Sequence, residues 1–544
     1  MSEASREVMM QPCRFNDGST GGCGLDLMLG EYRGHRTVGH SGGINGFTTL
    51  LEHLPDAQLT AVALANDEGF PTGKAVYTII RRVLALPDSL GKLRGQALEH
   101  ADRGEDVTIV DDIAEVIDRL IDPRGPGAAI AVVRGGEVLY RGGAGMANLE
   151  WGVPIDTDTV FRIGSITKQF TAAAIMLLSE DGELSLDDEV QAALPDYPRQ
   201  PQPITIRQVL NHTAGIPSYT SQPSFDAVGQ RTDRDLDGLL GLFRDLPLNF
   251  EPGERFEYSN SGYALLGAII EARSGMPYRR FLLERMFRPL GMRRTRYLYD
   301  EPVIERRASG YSPSPKGPQN ARTMSMTLPH AAGALGSTVD DLLTWQRALS
   351  SGKVVSAESY GTMVEPCRFN DGSTGGYGCG LMLAEYRERP TIGHGGGING
   401  FVSMLEHLPT EQLTVIILGN YERLPIGTLT YALVRRALGL PDVERATAGI
   451  SAAALLSCTG HYRFDMGTLP IVAADDALVL PMPRIGSRYL PFEDGRFFLE
   501  SDPELTLRFE QLRDGHYQQL TLQSHTRSHE GERVEPPPRQ SPIT

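Results

Sequence analysis

The chain predicts an α/β domain followed by a small all-β barrel, and three observations carry that reading. Strand-like runs stand at both ends of a long central region, AAIAVVRGGEVLY at 128–140 and TVIILGN at 414–420, with mostly helical and loop-like sequence between. One sheet is therefore expected, built from both ends of the domain. An apolar helix, FRIGSITKQFTAAAIMLL at 161–178, begins with a polar S-x-x-K pair. From about Cys458 the texture changes to short strand-like runs such as GHYRF, RFFLE and YQQLTL, with Asp494-Gly495 and Asp514-Gly515 as hairpin turns between them. That pattern reads as a barrel or curled antiparallel sheet.

With 544 residues the chain is too long for one core, and two to four domains are expected. The net charge of −16 argues against a nucleic-acid footprint and against anionic membrane. Five cysteines (Cys13, Cys23, Cys367, Cys379 and Cys458), odd in number and without a C-x-x-C, give neither a disulfide framework nor a zinc site. No run of eighteen apolar residues exists, so no membrane span is expected. The start, MSEASREVMMQPCRFNDG, has no basic stretch leading into an apolar one. The expectation is a cytoplasmic chain as written, periplasmic if the true start differs.

An internal repeat sets the domain plan. Residues 9–88 match 363–442 without a gap at a constant offset of 354, with 48 of 80 positions identical. GHSGGINGF at 39–47 returns as GHGGGINGF at 393–401. Two distant copies do not make a solenoid. The expected plan is a partial duplicate at 1–95 of the C-terminal part of a central domain at 106–445, a polar linker at 96–105 between them, a linker at 446–457 that includes TAGISAAALLS, a barrel at 458–530 and a disordered tail at 531–544.

Within the central domain, VTIVDDIAEVIDRLID is a helix by its apolar spacing, and Gly125, Pro126 and Gly127 break it. Gly135-Gly136 turns a hairpin. ITIRQVL (204–210) reads as strand-like, GYALLGAIIEARSG (262–275) as an amphipathic helix ending on Gly275, and SGKVV (351–355) as a return to strands. LTYALVRRALGLPD (429–442) reads as the closing helix.

Ser165 and Lys168 lie three apart on a helix and so share a face. A serine hydroxyl is a weak nucleophile until a neighbour takes its proton, and a desolvated ammonium gives up its own proton readily. Three further elements accompany this pair. Tyr258-Ser259-Asn260 precedes the helix at 262. NHTAGIP at 211–217 is a polar turn in which His212 reads as a structural hydrogen-bonding group. His394-Gly395-Gly396-Gly397 is a glycine run that lets a ligand approach backbone.

SITK at 165, YSN at 258 and HGG at 394, in this order, resemble the serine hydrolases related to class C β-lactamases and penicillin-binding proteins, a group with DD-peptidases, D-aminopeptidases and esterases among its members. The resemblance covers 106–442 and implies an antiparallel sheet flanked by helices plus an all-helical subdomain. It implies acylation of Ser165, with Lys168 relaying the proton. Tyr258 is implied as general base, its phenolate favoured by the Lys168 ammonium, and Asn260 as the group orienting Lys168 and the substrate amide. The backbone N–H groups of Ser165 and Gly397 become the expected oxyanion donors, with Gly396 and His394 beside them. His394 stands where β-lactamases carry a lysine, which points away from substrates bearing a carboxylate. The implied substrate is a small molecule or peptide, no cofactor or metal is called for, and a homo-oligomer is compatible. A β-lactam-binding sensor without turnover is the alternative. The first repeat copy carries His40-Ser41-Gly42 but neither S-x-x-K nor Y-x-N, so it is no second active site. The end domain resembles lipocalin-like appendages, and His461, His516, His525 and His529 read as surface histidines.

Overall fold

The computed structural model describes residues 27–32, 35–44, 47–67, 72–84, 107–225, 228–299, 302–464, 467–480, 488–492 and 495–535. Contacts divide the chain into two compact units, Met1–Asp102 and Arg103–Thr544. The polar run expected as a linker at 96–105, Asp494 and the tail from 536 onward lie outside the described residues.

In the first unit, β1 (Met28–Tyr32), β2 (His35–Ile44), β3 (Phe47–Leu54) and β4 (Leu59–Ala65) form an antiparallel sheet in sequence order. Helix α1 (Thr72–Val83) covers one face, with Leu50, Leu54, Ala61, Val76 and Ile80 between them. The opposite face is open: Phe47, Leu51, Val62 and Leu64 are 52%, 43%, 47% and 77% exposed. Their counterparts in the second repeat copy, Phe401, Leu405, Ile416 and Leu418, are exposed by 4% or less. The same strand pattern thus folds twice, and only the second copy has its apolar face covered.

In the second unit, α2 (Val107–Leu120) leads into β5 (Ala128–Arg134) and β6 (Glu137–Ala144), a hairpin turning at Gly135-Gly136 with φ of 57° and 88°. The sheet is completed by β7 (Met382–Tyr386), β8 (Arg389–Ile398), β9 (Phe401–Leu408) and β10 (Leu413–Gly419), in the spatial order β7-β8-β9-β10-β5-β6. Every neighbouring pair is antiparallel, and β10 meets β5 over seven residues from Leu413↔Arg134 to Gly419↔Ala128. The sheet does join both ends of the domain. Strand β10 is buried throughout, because α2 and the closing helix (Ile426–Leu438) pack on one face and a larger helical layer on the other. Parallel or antiparallel, a strand covered on both faces reads as a continuous apolar run rather than an alternation.

The helical layer centres on α3 (Thr167–Glu180), buried from Thr167 to Leu178. Phe170 stacks on Trp345 at 3.9 Å between centroids, and the indole N–H of Trp345 donates to Gln169 Oε1 at 3.0 Å. A buried indole N–H finds a partner because leaving it unpaired is costly. Four sequence expectations are corrected in this layer and its surroundings. ITIRQVL is not a strand: Thr205 and Gln208 form a reciprocal capping box that starts α4 (Ile206–Leu210). Helix α5 (Asn260–Ser274), ended by Gly275 at φ 66°, is not amphipathic, since Ser261 to Ile270 are all buried in the middle of the subdomain. SGKVV forms turns, followed by a helix at Ala357–Met363 rather than strands. TAGISAAALLS is not extended linker throughout, because Ser451 caps a short helix at Ala452–Ser457.

Eight strands from Gly460–Phe464 to Ser528–Val534 close into an antiparallel barrel around Tyr462, Phe497, Leu507 and Leu520. The Asp514-Gly515 turn has φ of 49° and 78°, as a two-residue hairpin demands. The last strand pairs with the first through His461↔Val534, so the barrel extends past residue 530 into the expected tail. His525 is a further correction. It is not at the surface: its side chain is 4% exposed, lies 2.8 Å from Asp502 and stacks on Tyr431 of the catalytic domain. Beside it, Glu504 of the barrel receives Arg387 at 2.6 Å and is also paired with Arg435. Asp502, Glu504 and His525 bring three ligand-type atoms close together. The two guanidiniums already on Glu504 make that cluster a charge-balanced interdomain joint rather than a site for a dication.

Candidate active site

Ser165 sits on a 3₁₀ turn, Gly164–Ile166, that runs directly into α3. The turn is set by Gly164, whose φ of 50° suits glycine and whose missing Cβ leaves room for the amide of Gly397, 2.9 Å from where a Cβ would stand. Gly396 makes room in the same way at the preceding residue: a Cβ there would lie 2.1 Å from the carbonyl oxygen of Ile163. Ser403 Oγ donates to that same oxygen at 2.8 Å. Three glycines and one hydroxyl thus press the nucleophile turn against β8, and the Gly397 N–H comes to lie beside Ser165.

Lys168 is fully buried one helical step below Ser165. Its Nζ lies 3.1 Å from Ser165 Oγ, 2.9 Å from Asn260 Oδ1 and 2.9 Å from the carbonyl oxygen of Ala332. That carbonyl comes from a helical turn, His330–Gly333, which the sequence reading did not single out. No carboxylate is among these contacts, and burial pushes the Lys168 ammonium well below its ordinary range. Asn260 is held in turn, its N–H donating to Ser218 Oγ at 3.2 Å and its side-chain amide to Thr220 Oγ1 at 3.3 Å.

Tyr258 is half-buried and lies beside Ser165. Burial holds its phenol proton on, against the smaller pull of the Ser165 contact. The Lys168 nitrogen lies over the Tyr258 ring, 4.7 Å from its centroid. Both shifts run against the expected phenolate and its neighbouring ammonium, because desolvation disfavours charge on each group.

His212 packs against Tyr258 at 4.4 Å and against Tyr377 at 4.8 Å. Its Nδ1 accepts the Ser259 N–H at 3.2 Å, which makes it a structural hydrogen-bonding group, and burial keeps the ring neutral. His394 is 3% exposed and lies behind Tyr258 rather than in the cleft. Its Nδ1 contacts the Gly395 carbonyl at 2.5 Å, so that nitrogen carries the proton and Nε2 accepts the Tyr377 hydroxyl at 3.0 Å. Burial, the largest cause, pushes its pKa down to about 3. Tyr377 escaped the sequence reading, although the repeat held a signal: the aligned position in the first copy is Cys23, in an otherwise near-identical stretch.

The cleft over Ser165 has a volume of about 150 Å³ and is lined by Tyr219, Phe225, Asn260, Met324, Gly397 and Asn399 among others. No charged side chain lines it among the described residues. A larger cavity, about 560 Å³, opens on the barrel between Arg463 and Glu532, far in sequence from Ser165, Lys168 and Tyr258.

Comparison with known proteins places this geometry. The beta-lactamase family model matches residues 2–85 and 113–438, and the chain belongs to that family. It is a serine hydrolase. Penicillin-binding protein 4* of Bacillus subtilis (strain 168) is 29% identical over 404 residues, 68% of this chain and 87% of that protein. A D-aminopeptidase of Gluconobacter oxydans (strain 621H) is 30% identical over 327 residues, and the match spans 59% of this chain but only 61% of that enzyme. Among solved structures, D-amino acid amidase from Ochrobactrum anthropi SV3 complexed with D-phenylalanine superposes with a TM-score of 0.53 at 28% identity, covering 61% of this chain and 98% of the amidase. The octameric penicillin-binding protein homologue from Pyrococcus abyssi reaches 0.53 at 26% identity and covers 78% of this chain and 99% of its own. No described helix is long and apolar enough to cross a membrane.

Proposed function

We propose that the chain hydrolyses neutral esters or amides through an acyl-enzyme on Ser165. The observation that carries this is the set of contacts on Lys168 Nζ. Carbonyl oxygens can only accept, so Asn260 Oδ1 and the Ala332 oxygen take its N–H groups. In the neutral amine that burial favours, the lone pair is left facing Ser165 Oγ. Ser165 then attacks the substrate carbonyl carbon as its proton passes to Lys168. The oxyanion forms against the N–H groups of Ser165 and Gly397. Tyr258, a neutral phenol in contact with Ser165, gives its proton to the leaving group and recovers one from Lys168. Water reverses the sequence to release the acid. Asn260 and Gly164 position these groups, and His212 and His394, both uncharged, hold the Ser259 N–H and the Tyr377 hydroxyl behind Tyr258.

The cleft narrows the substrate class. A β-lactam or a D-Ala peptide brings a carboxylate, and an aminopeptidase substrate brings an ammonium. The described lining offers neither a cation nor a carboxylate, and His394 stays neutral at any pH above about 4. Of the D-aminopeptidase, D-Ala peptidase and carboxylesterase types, the carboxylesterase type fits best. Labelling with a fluorophosphonate should mark Ser165 alone. On one preparation, kcat/KM should be highest for p-nitrophenyl butyrate, lower for D-alanine p-nitroanilide and lowest for nitrocefin. A hundredfold preference for nitrocefin would overturn the substrate class, and an unlabelled, inert protein would leave the β-lactam-binding sensor as the correct reading.

A further inference from the structure

A second cavity lies on the helical subdomain and shares no lining residue with the cleft over Ser165. Residues 277–299 carry seven arginines and one acid, Glu284, in a chain whose net charge is −16. Three of those arginines are paired: Arg280 with Glu284 at 2.8 Å, Arg285 with Asp181 at 2.7 Å and Arg294 with Glu305 at 3.5 Å. Arg279, Arg288, Arg293 and Arg296 make no ion pair within 4.0 Å among the described residues. Two of these, Arg279 and Arg296, stand at the rim of a cavity of about 510 Å³. Its walls are apolar and aromatic: Pro277, Leu283, Phe287, Tyr297 and Tyr299. Leu283 is 42% exposed there, at the start of a π-helical turn, Leu283–Phe287, that widens the helix beside the cavity. The Arg279 guanidinium lies over the Tyr299 ring at 5.2 Å, and Arg296 spends one N–H on the Arg293 carbonyl at 3.2 Å, so both keep donors for a ligand. Among the described residues, Glu271 is engaged elsewhere and accepts the Tyr278 N–H at 2.8 Å.

We infer that this cavity binds an amphipathic carboxylate, a flat apolar body with one anionic head. Volumes of roughly 300–1,000 Å³ suit small ligands, and the apolar walls would take the body. Arginine presents a planar fork that matches a carboxylate, and seven arginines without a lysine in this stretch favour such recognition over general basicity. The site is separate from the serine cleft, with which it shares no lining residue. Its wall still reaches the catalytic machinery by contact. The Tyr297 hydroxyl lies 3.4 Å from Nδ1 of His330, the first residue of the turn whose Ala332 carbonyl holds Lys168.

Calorimetric titration of the intact chain with 1-naphthaleneacetate tests the site. One saturable site is expected. The neutral 1-naphthaleneethanol should bind at least about tenfold more weakly, because it forfeits the charge-assisted hydrogen bonds. An Arg279→Gln/Arg296→Gln variant should weaken the acid by a similar factor, and Leu283→Glu should do so by blocking the apolar wall. All three substitutions are at exposed positions, so the fold should persist. Ser165→Ala should bind as the parent does. Absence of binding at millimolar acid, equal binding of alcohol and acid, or an arginine variant that binds like the parent would each overturn the inference. So would sedimentation with phosphatidylglycerol vesicles in place of soluble-ligand binding, which would make the patch a membrane face.

Discussion

At Lys168, side-chain length and charge act separately, and substitution can divide them. Lys168→Met keeps the stem packed in the core and removes only the amine. Turnover should fall by about 100- to 10,000-fold, the range of a general base, while thermal stability holds or rises as a buried polar group is lost. Parental turnover in that variant would show that Lys168 is not the base. Gly164→Ala tests the opposite case, a residue without chemistry of its own. Its φ of 50° and the Gly397 amide 2.9 Å from the new Cβ mean the turn must open to admit a methyl group. Turnover should drop by at least about 100-fold, comparable to loss of an oxyanion donor, with substrate binding changed far less. Equal loss of binding would point to general collapse of the cleft instead.

At the scale of elements, the barrel is fixed to the catalytic domain through Glu504. The carboxylate is 10% exposed and sits between Arg387 and Arg435, the latter itself 9% exposed. Removing one partner of a buried pair strands the others, typically at about 3 kcal/mol or more. Glu504→Ala should therefore lower the unfolding free energy by about that amount and make the 445–457 connection sensitive to protease, while Glu504→Gln should lose less. An unchanged melting curve for the alanine variant would mean the joint contributes nothing. The first unit is the contrasting element. Its sheet repeats the register of β8 to β10, with Val38↔His53 matching Ile392↔His407, but lacks an equivalent of β5 or α3 among its described residues.

For the whole molecule, that contrast gives the first of two expectations. The catalytic unit has its own complete sheet, so a chain lacking residues 1–95 should fold and turn over ester at the parental rate, measured as kcat/KM for p-nitrophenyl butyrate. Loss of both folding and turnover would make the first unit integral to the catalytic fold. The second concerns acid. Burial pushes His394 down to about 3 and His330 to about 4, and lowers His212 as well, from an ordinary value of 6.5. Between these limits the unfolded chain binds protons that the folded chain refuses. The contribution of the three rings is thus complete above pH 6.5 and lost progressively as pH falls toward 4 and 3. Denaturant midpoints should decline across that window, and His394→Gln should flatten some of the decline. A midpoint independent of pH from 7 to 4 would contradict the buried, neutral assignment.

Much of the site was legible because its chemistry is local. Ser165 and Lys168 share a helical face by spacing alone, Tyr258 and Asn260 flank one cap, and the glycines of 395–397 mark a backbone that something must approach. The sheet closing from both ends followed from apolar runs at either end of the domain, and the barrel from short strands and their turns. What escaped was set by contacts between residues far apart in the chain. Tyr377 gains its role only when β8 brings His394 to its hydroxyl. The Ala332 carbonyl has no side-chain signature. Helix α4 was hidden because a five-residue apolar stretch has no period, and its capping box decides. His525 looked like a surface residue until the barrel met Tyr431. The charge states were also beyond the sequence, since Lys168, Tyr258 and His394 owe them to burial, and burial is a property of the packed structure and not of any residue's neighbours in the chain.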